Sequence, residues 1–482
     1  MASDQEVLSR GHSGENLACE TTASTKTQPQ FDPRGACAVR NLLLVAEVAS
    51  GTRHPELQEG LGTSASGIAW VLTAFLLASS VATPIVSRFG DMFGKRGVLL
   101  SVLGLLWAGT LVCALANTLW VLIIGRVIQG AGGAVIPLAM GIIRDELPPK
   151  RVAPGIGLMS SILGIGGGLG IVLAGPLIDS LDVHWLFWMP LVTLGAAFIA
   201  TWAMVPESPV LSLGRVNWYA ALLLSLGLGG LLLAVSEGHN WGWGSTRFWG
   251  LIAASAGILA FWVRTELRSS EPLVDMSVMR LRGVWTTNLA SLLIGYGMFS
   301  SFLLIPSLIQ VPTSTGFGLG ASVTQAGLYM LPIAVVMSIS GPLSGRLDER
   351  FGSKLSIIAG SASTTGAFVL IALLHTQPWQ FLTFSVLLGI GIGMAFAAMG
   401  NLIVAAVPQQ HTSVATGMNS IVRYVGGSFG SQIAASIIAI YAVANGAPTE
   451  QGFITGFWVS AGIVALGTIV SLFIPSRRVT RP

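Results

Sequence analysis

Ser87-Arg-Phe-Gly-Asp91-Met-Phe-Gly94-Lys95-Arg96 returns 258 residues later as Gly345-Arg-Leu-Asp-Glu349-Arg-Phe-Gly352-Ser-Lys354. Both copies join two long apolar runs, and both set an acid three residues before a glycine with cations alongside. A tight turn of this kind reaches the ends of neighbouring helices. Its acid is favoured at helix amino termini and pairs with Arg, so the turn can latch one arrangement of the helices. Short loops between apolar runs are often basic, but that tendency does not put acid-x-x-Gly into one register twice. The chain therefore reads as two related halves.

Composition sets the solvent. Of 482 residues, 52% are hydrophobic, 10% are charged and 60 are Gly, whereas ordinary soluble domains carry about 25% charge. So few charges exclude a cytosolic enzyme, a nucleic-acid binder and a disordered scaffold, and leave a polytopic protein of membrane-spanning helices. The net charge of +4 is explained by where the cations sit. Cys19, Cys37 and Cys113 form neither a disulfide framework nor a metal cluster.

A spanning helix needs about 20 mostly apolar residues. Thirteen runs qualify: 66–87, 97–116, 118–143, 154–178, 185–205, 217–236, 247–263, 284–310, 322–344, 355–375, 379–406, 413–441 and 452–475. A further segment, 36–51, is short and carries Arg40 and Glu47, each expensive at mid-bilayer. Residues 1–34 are polar and are expected to form a disordered tail, without the features of a secretory signal. Alternate loops hold nearly all the cations: Arg88, Lys95, Arg96; Arg144, Lys150, Arg151; Arg215; Arg264, Arg268, Arg280, Arg282; Arg346, Arg350, Lys354; and Arg477, Arg478, Arg481. The opposite loops offer Arg247. Cations favour the cytoplasmic side, so the basic loops and the carboxyl terminus of this multi-pass protein are expected there.

These residues resemble the major facilitator superfamily, whose signature loop reads G-x-L-x-D-R-x-G-R-K. Asp91, Gly94, Lys95 and Arg96 fit it, with Ser87 in place of the first Gly. Arg126-Val-Ile-Gln129-Gly130-Ala-Gly132-Gly133 looks like the family's fourth-helix motif, and Gly166-Gly-Gly-Leu-Gly170-Ile171-Val-Leu-Ala-Gly175 like its antiporter motif, with Ile171 where the family has Pro and a Gly175-Pro176 pair following. Pro272-Leu-Val-Asp275 and Ala415-Thr-Gly-Met-Asn419-x-x-x-Arg423 are similar to the fourteen-helix drug/proton antiporter branch (EmrB/QacA-type). That branch carries an Asp in its first helix. Here Glu47 stands one residue out of register, and either it replaces the Asp or the first helix is impaired.

The resemblance implies an all-α fold of two six-helix bundles, 36–205 and 284–475, with two linking helices in 206–283 and a basic tail at 476–482. It implies a place in the cell (plasma or inner) membrane and export of small amphipathic or antibiotic-like compounds, driven by proton entry, with the site at mid-membrane between the bundles. The proton gradient replaces any cofactor. The expected partners are the substrate and the bilayer, not nucleic acid, and the protein is expected to be monomeric. Asp91, Gly94, Lys95, Arg96, Glu349, Arg350 and Gly352 form the conformational latch; Gly166, Gly170, Gly175 and Pro176 the antiporter-like motif. Ionisable or polar groups inside the runs are functional candidates by default: Arg126 with Gln129, Arg423 with Asn419, and Glu47 as the one acid within an apolar stretch. Packing against carbonyls is the competing role for Arg126, interfacial anchoring for Arg423 and Glu47. No clustered His, Asp, Ser or Cys suggests an enzyme or a metal site. An importer of an anionic or neutral metabolite, favoured by Arg126 and the lack of core acids, and a transport-dead homologue with an impaired first helix stay open.

Overall fold

The computed structural model describes residues 65–180, 185–207, 215–443 and 447–475. Among them every long apolar run is a helix, with ends within seven residues of expectation: α1 (Ala65–Phe93), α2 (Lys95–Ala114), α3 (Leu119–Gln129) continuing through a 3-10 turn at Gly130–Ala134 into α4 (Val135–Glu146), α5 (Pro149–Ser180), α6 (Trp185–Met204), α7 (Trp218–Trp241), α8 (Thr246–Glu266), the short α9 (Met276–Met279), α10 (Arg282–Gln310), α11 (Val323–Phe351), α12 (Ser353–Leu373), α13 (Pro378–Ala406), α14 (Thr412–Ile440) and α15 (Glu450–Leu472). No strand occurs among the described residues. Among the described residues, ten helical segments are long and apolar enough to cross a membrane. The segment 36–51 lies outside the described residues.

Helix ends follow local chemistry. Ser322 and Gln325 form a reciprocal capping box at the start of α11, and Asn217, Ser245 and Thr449 accept orphan amides at the starts of α7, α8 and α15. The distribution of side chains is that of a protein solvated by hydrocarbon. Trp120, Val192, Ile440 and Trp202 face outward, while Ser79, Thr83, Arg126, Gln129 and Asn401 are enclosed. With no water in the bilayer core, polar groups find partners only inside the bundle.

In the first half α2 packs on α1, α3 and α6; in the second, α10 lies on α14 and α15, and α13 on α11 and α12. Phe368, Phe381, Phe384, Phe453 and Phe457 fill the second half's core. The halves meet where α5 runs along α11 and α13, and where α1 and α4 lie on α14. The linking helices α7 and α8 pair with each other, and α7 lies against both α1 and α14. Trp243 Nε1 at their turn donates to Ser436 Oγ of α14 at 2.9 Å. At the other end, buried Glu266 accepts the amides of Leu273 (2.9 Å) and Val274 (3.3 Å) and the indole of Trp262 (3.1 Å), folding the Pro272-Leu-Val-Asp275 segment inward. Asp275 then caps α9.

The α5–α11 contact is backbone against backbone. A Cβ on Gly157 would stand 2.6 Å from the Gly341 carbonyl oxygen, and one on Gly341 would stand 2.7 Å from that of Gly157. Small residues of this kind are what allow helices to approach closely in lipid. Gly341→Val is expected to destabilise by about 1–3 kcal/mol, as overpacking does. Gly366→Ala, where a new methyl meets nothing within 4 Å, should leave the melting temperature of the detergent-solubilised protein unchanged or slightly raised. Equal melting of the two variants would contradict the close α5–α11 contact.

Candidate functional site: the seam between the halves

The duplicated turn reverses the chain at a glycine with positive φ in both copies, 105° at Gly94 and 81° at Gly352, a conformation that L side chains rarely adopt. Each glycine ends one helix and starts the next, so the motif is a helix–glycine–helix corner. Its charged residues crowd the same end of the bundle as Arg144 and Arg346, the basic end.

At the first corner Lys95 is fully enclosed, its ammonium 2.7 Å from Asp145 Oδ2 and 3.6 Å from Asp91 Oδ1. A cation taken out of water this far is tolerated only when carboxylates surround it. The other Asp91 oxygen accepts the amide of Val414 at 3.2 Å, in the first turn of α14, where helix amides lack internal acceptors and the dipole favours an anion. Asp145 Oδ1 accepts from Gln409 Nε2 at 3.1 Å. Beside it Arg144 donates to Thr412 Oγ1 (2.7 Å) and to the Val407 carbonyl (2.8 Å) that follows α13. Charges of α1, α2 and α4 thus fasten onto both the end of α13 and the start of α14, across the seam.

The second corner is wired differently. Glu349, the register partner of Asp91, is exposed, as is Arg350. The enclosed acid is Asp348, which accepts from the Ser356 hydroxyl and from Asn401 Nδ2 (2.7 Å). The expectation that Glu349 mirrors Asp91 is therefore corrected by one residue: each helical step rotates a side chain by about 100°, and position 348 is the one turned inward. Asp348 joins α11, α12 and α13, all of one half, so the second corner does not cross the seam. A different pair is mirrored. Arg96 Nη2 donates to the Trp202 carbonyl at 2.7 Å, and Lys354 Nζ to the Leu472 carbonyl at 2.7 Å. Each holds the final turn of the last helix of its half, where carbonyls lack donors. Lys354 occupies the register of Arg96, so the repeat itself pointed to it.

The buried arginines part company. Arg126 Nη1 donates to Gln129 Oε1 at 3.2 Å, Gln129 Nε2 to Thr110 Oγ1 at 2.8 Å, and the guanidinium lies 5.3 Å from the Phe187 ring. These are contacts within the first half. Asn419 Nδ2 donates to Asn288 Oδ1 (2.9 Å) and Ser291 Oγ (2.7 Å), tying α14 to α10. Arg423, eleven residues beyond the start of α14 and so about 17 Å from the basic end, stacks 4.3 Å over the Phe396 ring and donates to Ser420 Oγ at 3.3 Å. Asn419 and Arg423 border a narrow cavity whose other walls include Ile136 and Met140 of α4, Ser160 of α5, and Phe396 and Gly400 of α13. The cavity is therefore a seam cavity, built by both halves. Gly166 and Gly170 are buried on α5; the side-chain surroundings of Gly175 and Pro176, and all of Glu47, fall outside the described residues. Spacing alone did not point to Arg144, Asp145, Gln409 or Asn401, because each matters only through a helix distant in sequence.

A cavity of about 390 Å³ at the basic end is lined by Arg88, Glu271, Asp275 and His411. Burial and the nearby Arg88 hold His411 below its usual range of 6.5, although Asp275 opposes them. Burial works against ionisation of Asp275, but the Ser277 hydroxyl and amide and His411 outweigh it and hold the carboxyl below its usual 3.8.

Lys95→Met leaves two buried carboxylates without their cation and should destabilise by about 3–5 kcal/mol; adding Asp91→Asn should restore part of that, a coupling that thermal melts of the single and double variants will read. Asp348→Asn should lower the melting temperature and Glu349→Gln should not; the reverse order would contradict the corrected register. A histidine held neutral in the folded state contributes stability that is complete above 6.5 and is lost as pH falls below it, because the unfolded chain takes up the proton. Melting temperature should accordingly fall below pH 6.5, and less steeply in His411→Gln.

Comparison with known proteins places this geometry. The Major Facilitator Superfamily model matches residues 44–431. The multidrug transporter protein MdtP of Bacillus subtilis is 29% identical over 389 residues, covering 79% of this chain and 70% of that protein. The tetracenomycin C resistance and export protein of Streptomyces glaucescens is 24% identical, covering 80% and 71%, and the multidrug resistance protein Stp of Mycobacterium tuberculosis is 27% identical, covering 80% and 72%. Among solved structures, the human organic anion transporter MFSD10 (TETRAN) superposes with a TM-score of 0.62 at 17% identity, covering 92% of this chain and 100% of that one, a likeness of fold. The chain is a multi-pass membrane transporter protein, not an enzyme, and it belongs to the major facilitator superfamily.

Proposed function

We propose that the protein exports small amphipathic or antibiotic-like compounds in exchange for protons, as a member of the fourteen-helix drug/proton antiporter branch. The observation that carries this reading is the seam itself: a narrow cavity of about 10 Å³ lined by both halves, with a crossing network of charges at one end. Alternating access needs contacts that hold one end shut and can be exchanged for others, and the bond Asp91 accepts from the Val414 amide and those Arg144 donates to Val407 and Thr412 are contacts of that kind. The names of the multidrug and export relatives support the substrate class.

In this reading the bundles 36–205 and 284–475 rock about the seam, with 206–283 bridging them, as a monomer in the cell membrane. The basic end and the carboxyl terminus face the cytoplasm. The arrangement described here is then the state closed to the cytoplasm. Each cycle separates Asp91 from the start of α14 and Arg144 from the end of α13. Protonation and substrate occupancy must favour opposite-facing states by different amounts for exchange to be coupled. Glu47 is the proton-carrying candidate, with Gly166, Gly170, Gly175 and Pro176 of α5 shaping the path.

Efflux of dyes and antibiotics from cells expressing the protein tests this. Expression should lower accumulation, a protonophore should abolish the effect, and Glu47→Gln should abolish it at normal protein level. Asp91→Asn should reduce the transport rate severalfold with little change in substrate affinity. Uptake that follows the solute gradient regardless of protonophore would establish a facilitator-type importer instead.

A further inference from the structure

We infer that an anionic phospholipid of the bilayer binds at the basic end of the α5–α11 contact, its headgroup phosphate held by Lys150 and Arg151 of one half and by Arg346 and Arg350 of the other. The two helices run antiparallel in tight register. A Cβ on Gly341 would meet the Gly157 carbonyl oxygen at 2.7 Å, and one on Gly345, a turn further, would meet that of Ala153 at 2.8 Å. One more turn in the same register brings Lys150 and Arg151 level with the stretch from Arg346 to Arg350. Lys150 also lies on the line of Ala153, Pro154 and Gly157, the face that α5 turns to α11. All four cations are exposed. Among the described residues, none of these four side chains has a hydrogen-bonding or ion-pairing partner.

The surface around them identifies the ligand as a lipid. Val335, Ile339 and Leu343 are exposed at successive turns of α11, and Arg346 and Arg350 continue the same stripe. In a membrane-spanning helix an exposed apolar stripe faces acyl chains. Along the axis Arg346 stands about 4.5 Å beyond Leu343 and Arg350 about 10 Å beyond it, so the stripe passes from chains to charge over the depth of a headgroup layer. Of the acids in 149–154 and 343–351, Asp348 is turned inward onto Ser356 and Asn401, which leaves Glu349 against four cations. A surface of that balance attracts phosphate, and each Arg offers it a bidentate fork. A soluble anion would use the charges but not the apolar stripe. Because α5 belongs to the first half and α11 to the second, one headgroup held from both helices braces the halves at the end where Asp91 and Arg144 also cross.

The full chain in detergent tests this with phosphatidylglycerol, phosphatidylcholine and glycerol phosphate as probes. Native mass spectrometry counts bound lipid, and thermal melting reads its effect. Phosphatidylglycerol should bind and raise the melting temperature where phosphatidylcholine does not, and salt should weaken the effect. At about fivefold for each cation lost, Arg346→Gln/Arg350→Gln and Lys150→Gln/Arg151→Gln should each weaken binding roughly 25-fold. Arg346→Lys/Arg350→Lys keeps the charge and should retain most of the binding. Arg264→Gln/Arg268→Gln removes two exposed cations of the same end, at the close of α8, and should leave binding unchanged. Melting without added lipid confirms that each variant is folded. No preference for phosphatidylglycerol, or an equal loss in the α8 pair, would overturn the inference. Glycerol phosphate binding as tightly as the lipid would also overturn it, since the site would then serve free anions. Loss confined to the variant of one helix would overturn the bridge between the halves.

Discussion

A single enclosed ammonium organises the basic end. Lys95, with no solvent access, sits between Asp91 and Asp145, and neither carboxylate could remain buried and ionised without it. Because Lys95 holds both acids, Asp91 can present its second oxygen to the start of α14 and Asp145 its own to Gln409. Arg144 adds two bonds to the same connection. The contacts between halves at this end thus depend on charges compensated first within one half. Such an arrangement is discrete: the α14 amide is bonded to the carboxylate or it is not, which suits a two-state element better than a gradable apolar contact does.

The repeat makes the same corner twice and employs it for two purposes. The positive-φ glycines and the cations at the ends of α6 and α15 are shared, because they satisfy needs that every such corner has: a chain reversal and orphan carbonyls. The acids are not equivalent. Asp91 reaches the opposite half, whereas Asp348 binds Ser356 and Asn401 within its own. Duplication preserved the backbone requirement, and the charge that crosses the seam is found in the first copy. The linking pair α7 and α8 adds a wall along α1 and α14, anchored by the Trp243–Ser436 bond at one end and, at the other, by the segment that Glu266 folds inward.

Lipid sets the remaining rule. Apolar side chains such as Trp120 and Ile440 face outward and polar ones find partners inside, so a buried arginine marks either a helix-to-helix tie or a place where something polar binds. Arg126 ties helices of the first half through Gln129 and Thr110, and Arg423 lies against Phe396 beside the cavity lined by both halves. They are the same residue at comparable burial, and what distinguishes them is whether the neighbouring surface belongs to one half or to both.

The sequence alone determined the solvent, the helices and the twofold build. Thirteen apolar runs became thirteen long helical segments, since length and hydropathy are local properties that the bilayer rewards directly. It determined the glycine corner as well, because positive φ is a demand of the backbone at one residue. Tertiary structure decided which acid of the second corner turns inward, since a one-residue step on a helix changes the neighbour and no local signal says which neighbour is there. It decided that Arg144, Asp145 and Gln409 join across the seam, as they come from runs more than 260 residues apart. It decided too that Arg423, not Arg126, borders the cavity. Side-chain type is written in the chain; the surface each side chain meets is set by helix packing, which depends on every other helix at once.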